Sequence, residues 1–163
     1  MNCPEKIAGA YLRLNGFFLL PHFTIFKMQR DYHHVDFLAL RPPSSGGFVY
    51  GGESELRFPL DDSLLGLINA GFGVDPFRDF IGSVVEVKGN NQFEVPTDDH
   101  IEYASQFMGG EIPICPLLGV GNFLQDILEI GKPGSDPHYV TGFLPDRRGF
   151  KIDIGDHFLP FVS

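Results

Sequence analysis

The chain contains no tryptophan, only two cysteines and few basic residues, and each scarcity excludes a class of protein. Cys3 and Cys115 lie far apart and form no CxxC pair, so neither a disulfide framework nor a zinc site of cysteines is expected. We expect two free thiols in a reducing cytoplasm. Lys and Arg number 12 against 21 Asp and Glu, for a net charge of −9. Because nucleic-acid binding depends on cations that neutralise phosphates, this balance argues against tight nonspecific binding of DNA.

Long apolar runs are also missing. No segment approaches the length needed to span a bilayer, and the first residues carry no basic-then-apolar signal pattern. We therefore expect no membrane partner and a cytoplasmic location. Hydrophobic residues nevertheless make up 43% of the 163 residues, and 17 of them are phenylalanine. This composition predicts one domain over residues 1–163 with a substantial core.

The first half of the chain reads as a helix followed by strands. Pro4 and a stripe of apolar residues predict a helix over 4–15. Strand-like runs follow at 17–20 and 23–28, interrupted by Pro21. A polar turn over 29–34 and a strand over 35–40 come next.

Residues 43–80 read as an excursion between two strands, with a short helix capped near Asp61. Beyond it the patterns predict, in order, a buried central strand over 81–88, a helix from Asp98 to Met108, a broken apolar segment over 112–120, a helix over 122–130, and strands over 139–144 and 150–154. The fold class is α/β, with a central mixed sheet flanked by helices and a core order of α-β-β-β-α-β.

The most informative run is Val84-Val85-Glu86-Val87-Lys88. Strand side chains alternate, so Glu86 and Lys88 share one face while Val87 packs on the other. Asp36 is a lone acid in an equally apolar run, and burying one carboxylate costs several kcal/mol unless it is paired or metal-bound. If the two strands are neighbours, Asp36 lies beside Glu86 and Lys88. Two carboxylates and an amine at that place predict a site for a hard divalent cation.

The ordered set of Glu5, Ala8, Tyr11-Leu12, Gly16-Phe17, Asp36 and Val85-Glu86-Val87-Lys88 resembles the core of the PD-(D/E)XK nuclease superfamily, the restriction endonuclease-like group. The resemblance covers roughly the first 110 residues. It implies a core of a helix, a three-stranded meander, a helix and a further strand.

The resemblance also implies roles for individual residues. Asp36 and Glu86 would bind Mg²⁺ or Mn²⁺, and Val87 would add its backbone carbonyl. Lys88 would be the catalytic cation, and Glu5 an auxiliary acid from the first helix. The implied activity is metal-dependent hydrolysis of phosphodiester bonds in nucleic acid, most simply DNA.

Two features depart from the superfamily pattern. No proline precedes Asp36, and residues 43–80 separate it from Glu86 where a tight hairpin would suffice. Other charged residues have simpler interpretations. His33-His34 reads as a solvated turn, and the acids Glu53, Glu55, Asp61 and Asp62 as a solvated cluster. Surface charge that could meet phosphates is the interpretation of Lys27, Arg30, Arg41 and Arg147-Arg148.

Two alternatives remain open beside the nuclease. The first is a catalytically silent binding or regulatory module of the same fold, suggested by the acidic charge and by Phe72, Phe77 and Phe80 as a partner surface. The second is an accessory subunit whose DNA affinity comes from a second chain, either a homodimer partner or another protein.

Overall fold

The computed structural model describes residues 3–26, 32–43, 60–88, 98–120, 142–143 and 150–153. In chain order these contain α1 (Cys3–Leu14), β1 (Phe18–Phe26), β2 (Tyr32–Arg41), α2 (Asp62–Phe72), β3 (Ile81–Lys88), α3 (Asp98–Phe107), β4 (Leu117–Val120), β5 (Gly142–Phe143) and β6 (Phe150–Asp153). The strands form one sheet in the order β1-β2-β3-β4-β6-β5.

The sheet is mixed. β1 pairs antiparallel with β2, and β2 antiparallel with β3, whereas β3 pairs parallel with β4 and β4 parallel with β6. The two-residue β5 runs antiparallel to β6. A change from antiparallel to parallel pairing therefore occurs at β3, whose first seven residues are all buried. The prediction of a buried central strand over 81–88 is confirmed.

Helices pack on both faces of the sheet. α1 and α2 contribute Ala8, Tyr11, Leu12, Leu64 and Ile68 to a core that includes alternate residues of β2 and β3, namely Phe37, Ala39, Ile81 and Val85. On the other face, Ala104 of α3 joins a second cluster with Leu38 and Val84. This arrangement confirms a mixed sheet flanked by helices.

Local sequence explains where α2 begins and ends. Asp61 accepts a hydrogen bond from the Ser63 N–H at 3.0 Å, so its carboxylate caps the first turn. Gly73 ends the helix with φ of 64°, a left-handed conformation that glycine adopts without steric cost. The predicted helix is confirmed and ends at Phe72, one residue past the expected end near Gly71.

The segment that follows α3 lies close to the sheet because β3 carries a glycine beneath it. A side chain at Gly82 would meet the Ile114 side chain at 2.5 Å and the Met108 sulfur at 2.7 Å. The glycine therefore leaves room for the segment that follows α3 to pack on β3.

Two predictions of strand bounds need correction. β1 is one continuous strand through Pro21, which β1 tolerates because it lies at the end of the strand order, where a missing N–H costs no ladder bond. β2 begins at Tyr32, so residues 32–34 belong to a strand and not to a turn. Part of the excursion expected over 43–80 is α2, whose residues Leu64 and Ile68 pack into the main core.

Other predictions fall wholly or partly outside the described residues. These are residues 27–31 and 44–59, the helix over 122–130, and most of the strand over 139–144. No helix in the described part of the chain is long and apolar enough to cross a membrane.

Candidate functional site

The candidate site is the place where β2 and β3 separate, which we call the fork and define by Asp36, Glu86, Val87 and Lys88. The pairing of β2 with β3 runs from Arg41↔Ile81 to Phe37↔Val85. Beyond that pair β3 continues along β4, as far as Lys88↔Val120. Asp36 precedes Phe37 in β2, so it lies where the antiparallel pairing between β2 and β3 ends.

The Asp36 carboxylate bridges the fork. Its Oδ2 accepts a hydrogen bond from the Val87 N–H at 2.7 Å. In a continuing ladder a backbone carbonyl of β2 would be the usual acceptor for this donor. The side chain therefore satisfies a β3 amide at the point where β2 no longer does.

The backbone of β3 directs the Val87 carbonyl toward β2, the side on which the Val87 N–H meets Asp36. Gly82 donates its N–H to the Pro113 carbonyl and accepts from the Cys115 N–H, so its peptide groups point toward β4. Successive strand residues direct their peptide groups to opposite sides, so Val85 and Val87 point theirs toward β2. The Val87 N–H and C=O thus both face the fork.

The charged side chains of β3 follow the alternation of the strand. Gly82 faces Met108 and Ile114, and Val84 belongs to the α3 cluster. Glu86 and Lys88 continue that series on the same face. Glu86 is buried, with 9% of its surface exposed, and Lys88 is half-buried. Val87 packs in the opposite cluster, as predicted.

The other neighbour of Asp36 is His22 in β1. The pairs Pro21↔Phe37 and Phe23↔Val35 flank it, so His22 lies opposite Asp36 in the register. His22 has φ of 52° and is the only non-glycine residue with positive φ in the part of the chain described. For such a residue this left-handed conformation is uncommon. The β1–β2 ladder is therefore irregular at the same level as the fork.

The predicted site residues are only partly brought together. Asp36 contacts Val87 directly, and Glu86 and Lys88 flank Val87 in β3. Glu5 lies in the first turn of α1 and is buried at 8% exposed. Within the described ranges, no three His, Cys, Asp or Glu side chains are arranged to bind a metal ion. Glu5, Asp36 and Glu86 therefore do not form a three-carboxylate cluster, and the auxiliary role of Glu5 stays a prediction.

The donor set fits one kind of metal better than others. Mg²⁺ keeps several waters and takes one or two carboxylates from a protein. The predicted ligands, Asp36, Glu86 and the Val87 carbonyl, would supply two carboxylates and one neutral oxygen. Hard oxygen donors of this kind suit Mg²⁺ or Mn²⁺, whereas tighter binding of a softer metal would need imidazole or thiolate ligands.

The sequence interpretation missed a group of buried polar residues beneath α1, which we call the polar core network: Tyr11, Asn15, Arg41 and Asp61. The Tyr11 hydroxyl donates to Asp61 Oδ2, and the Asp61 N–H donates to Asn15 Oδ1 at 2.7 Å. The Asn15 amide in turn donates to the Tyr11 carbonyl at 2.9 Å. Burial, together with the carboxylate of Asp61, raises the pKa of the Tyr11 hydroxyl.

Arg41 links the polar core network to the segment that follows α2. It is fully buried, with its Nε donating to the Asn15 carbonyl at 2.8 Å and a terminal nitrogen donating to the Pro76 carbonyl. Desolvation lowers the pKa of its guanidinium. The interpretation of Arg41 as surface charge available to phosphates is therefore wrong. The interpretation of Asp61 as a solvated acid is wrong as well.

The structure also places His34 and Cys115. His34 lies in β2, exposed, and its Nδ1 is 3.0 Å from Thr24 Oγ1, so the expected solvated turn is a strand. Cys115 is buried, and desolvation raises the pKa of its thiol to about 12. A thiol of that pKa stays protonated at neutral pH, so Cys115 is not an activated nucleophile. Lys27, Arg30, Glu53, Glu55 and Arg147-Arg148 lie outside the described residues.

Comparisons with protein-family models, with curated proteins and with solved structures give no match for this chain.

Proposed function

We propose that this protein is a Mg²⁺- or Mn²⁺-dependent nuclease of the PD-(D/E)XK type that hydrolyses phosphodiester bonds, with DNA as the first substrate to test. The observation that carries the proposal is the fork, in which the Asp36 carboxylate contacts the Val87 peptide of the strand that bears Glu86 and Lys88.

The order of elements supports the proposal. α1, β1, β2, β3, α3 and β4 follow the helix, three strands, helix and strand that the resemblance implies, and α2 is an addition between β2 and β3. The long separation between Asp36 and Glu86 is thus occupied in part by a helix that packs into the core, and the two strands remain neighbours.

Each residue of the fork has a part in the proposed chemistry. Asp36, Glu86 and the Val87 carbonyl would hold the cation. A bound Mg²⁺ supplies Lewis-acid activation of a water and stabilises charge on the scissile phosphate. Lys88 extends from the same face as Glu86, where its ammonium would orient the attacking water or neutralise charge that develops on the phosphate.

The acidic balance of the chain shapes the proposed substrate interaction. With a net charge of −9, the isolated chain is expected to bind nucleic acid weakly. We propose that a second copy of the chain or a partner protein supplies the affinity. A homodimer would also bring two sites to the two strands of a duplex.

Cleavage assays with matched variants test the proposal. Purified protein with Mg²⁺ or Mn²⁺ is incubated with single- and double-stranded DNA and RNA, and Glu86→Gln and Lys88→Met are compared with Glu102→Gln. Glu102 is an exposed acid of α3 and serves as the control for loss of one negative charge. We expect at least a 100-fold loss of cleavage in the two fork variants and none in the control. Cleavage that survives Glu86→Gln would contradict the proposed site, and absence of cleavage with every substrate would contradict enzymatic activity of the isolated chain.

The second candidate function is a binding module without catalysis. Phe77 and Phe80 are 55% and 48% exposed, in support of the Phe-rich segment as a contact surface, whereas Phe72 packs against the core. A separate apolar groove of about 420 Å³ runs between β1, β2 and the end of α3, with Phe18, Leu20 and Phe107 exposed along it. Exposed aromatic and aliphatic surface of this kind is typical of protein contact sites.

Calorimetry separates the two candidates. Titration of Mn²⁺ into the wild-type protein and into Asp36→Asn measures whether a cation binds at the fork. Binding that disappears in the variant supports the nuclease. A stable wild-type protein that binds no cation, yet forms a complex with a partner protein, supports the module.

A further inference from the structure

The hydrogen bond between Asp36 and Val87 suggests a second use for this carboxylate. Oδ2 lies 2.7 Å from the Val87 nitrogen, and the contact joins residues 51 positions apart in sequence. Val87 lies two residues beyond the last β2–β3 pair, so this side chain extends the linkage between the strands past the end of the ladder. A hydrogen bond to an ionised acceptor is stronger than one between neutral groups.

Burial of the residues around the fork makes the hydrogen bond between Asp36 and Val87 important for stability. Val87 is 5% exposed and Val35 is fully buried, so the Val87 amide has little access to solvent as an alternative partner. A buried backbone donor left without an acceptor is costly. Opposite Asp36, the β1 ladder is irregular at His22. Asp36 therefore connects β2 to β3 at the level where the regular backbone pairing between these two strands ends.

We propose that Asp36 is a latch of the fork as well as a cation ligand. Oδ2 holds the Val87 peptide and thereby directs its carbonyl toward the site, while Oδ1, which takes no part in that hydrogen bond, would be the oxygen that binds the cation. With both oxygens held, the carboxylate would be fixed and the latch tighter. The cation half of this statement rests on the proposed function; the latch itself does not.

The latch makes the Ala and Asn substitutions of Asp36 differ. An asparagine side chain retains a carbonyl oxygen that accepts from the Val87 N–H, whereas alanine leaves that donor without its acceptor. We expect Asp36→Asn to unfold within about 2 °C of the wild type and Asp36→Ala to unfold at least about 4 °C lower. Glu86→Gln, which leaves the latch intact, is the control for loss of a carboxylate at the same place.

Amide hydrogen exchange of Val87, followed by NMR with and without Mg²⁺, tests the coupling. In the wild type we expect Mg²⁺ to slow exchange of the Val87 amide by about tenfold or more, and exchange of the Ile81 amide at the other end of β3 to change little. In Asp36→Asn the Mg²⁺ effect should vanish. If Asp36→Ala fails to fold, the comparison of wild type with Asp36→Asn still decides whether the cation and the latch are coupled.

The outcomes separate the two proposals. Equal stability of Asp36→Ala and Asp36→Asn would overturn the latch, even if Mn²⁺ binds and nucleic acid is cut. A lower stability of Asp36→Ala, with no effect of Mg²⁺ on the Val87 amide of the wild type, would keep the latch and overturn the cation coupling.

Discussion

The fork and the polar core network both place a carboxylate among apolar residues, yet the two carboxylates are used differently. Asp61 is held by the Tyr11 hydroxyl and by the Ser63 N–H, and the Asp61 backbone is fixed by Asn15. Asp36 is only partly buried, and its described hydrogen bond goes to one backbone amide. Asp61 has several fixed donors and serves the fold, whereas at Asp36 the described part of the chain provides one backbone donor, and the other lone pairs of its carboxylate are the ones proposed to bind a cation.

This difference also separates what each acid contributes to stability. The polar core network links α1, β2 and the start of α2, so it fixes elements that are distant in sequence. The fork links two strands that are already paired over five residues of each. Loss of the network should therefore affect the whole domain, and loss of the Glu86 or Lys88 side chain at the fork should affect mainly the site.

The largest effect on stability is expected for Asp61→Ala. The substitution removes the cap of α2 and leaves the buried Tyr11 hydroxyl without its acceptor, so we expect the free energy of unfolding to fall by about 2–4 kcal/mol. Urea denaturation followed by circular dichroism measures the change. Asp62→Ala, at an exposed acid one residue later, is the matched control and should cost less than about 1 kcal/mol. Equal losses in the two variants would show that the network is not a stabilising unit.

A smaller effect follows from the raised pKa of Tyr11. The unfolded chain releases the Tyr11 proton near the ordinary pKa of 10.0, whereas the folded chain holds it to higher pH. Stability from this group is therefore fully present below about pH 10 and is lost as pH rises above it, by at most about 1.4 kcal/mol per pH unit.

The Tyr11→Phe variant isolates that contribution. The Cys115 thiol changes stability with pH in the same direction as Tyr11. Its pKa is raised from 9.0 to about 12, so its stabilisation is lost as pH rises past 9.0. We expect Tyr11→Phe to be less stable at neutral pH and to show a shallower decline between about pH 10 and pH 11. Parallel curves for the two proteins would contradict the assignment of the decline to Tyr11.

The smallest effect on stability is expected at the fork, for Lys88→Met. Lys88 is half-buried at the end of β3, and methionine keeps most of its apolar stem. We expect a change of less than about 1 kcal/mol in the free energy of unfolding, beside the large loss of cleavage proposed above. A destabilisation as large as that of Asp61→Ala would make Lys88 a structural residue and would remove the contrast between the two regions.

Several elements were predictable because their signals are local. β3 is predicted over 81–88 and is observed there, since a segment rich in β-branched residues favours a strand. The cap of α2 at Asp61 follows from short-range hydrogen-bond chemistry in the same way, and the acids Asp98 and Asp99 in the first turn of α3 are favoured there by the helix dipole. The sequence predicts a break in β1 at Pro21, because no local pattern indicates that a strand will lie at the end of a sheet, where proline is tolerated.

The candidate site was predictable only in part. Alternation within β3 placed Glu86 and Lys88 on one face from sequence alone, and Asp36 was expected beside them on the condition that the strands are neighbours. The register meets that condition, and it also places the Asp36 oxygen on the Val87 amide. The place where the ladder ends depends on how β2 is shared between β1 and β3, which no single segment specifies.

The amino-acid sequence by itself determined the mixed α/β composition, the alternation that places Glu86 and Lys88 on one face, and the caps of α2, because each depends on residues within a few positions of one another. The tertiary structure alone decided that Arg41 and Asp61 are buried and that Asp36 contacts Val87, because these depend on contacts across 26 to 51 positions of the chain. Whether a charged residue is solvated, structural or available for chemistry is a property of the surfaces packed around it, and those surfaces come from distant parts of the sequence.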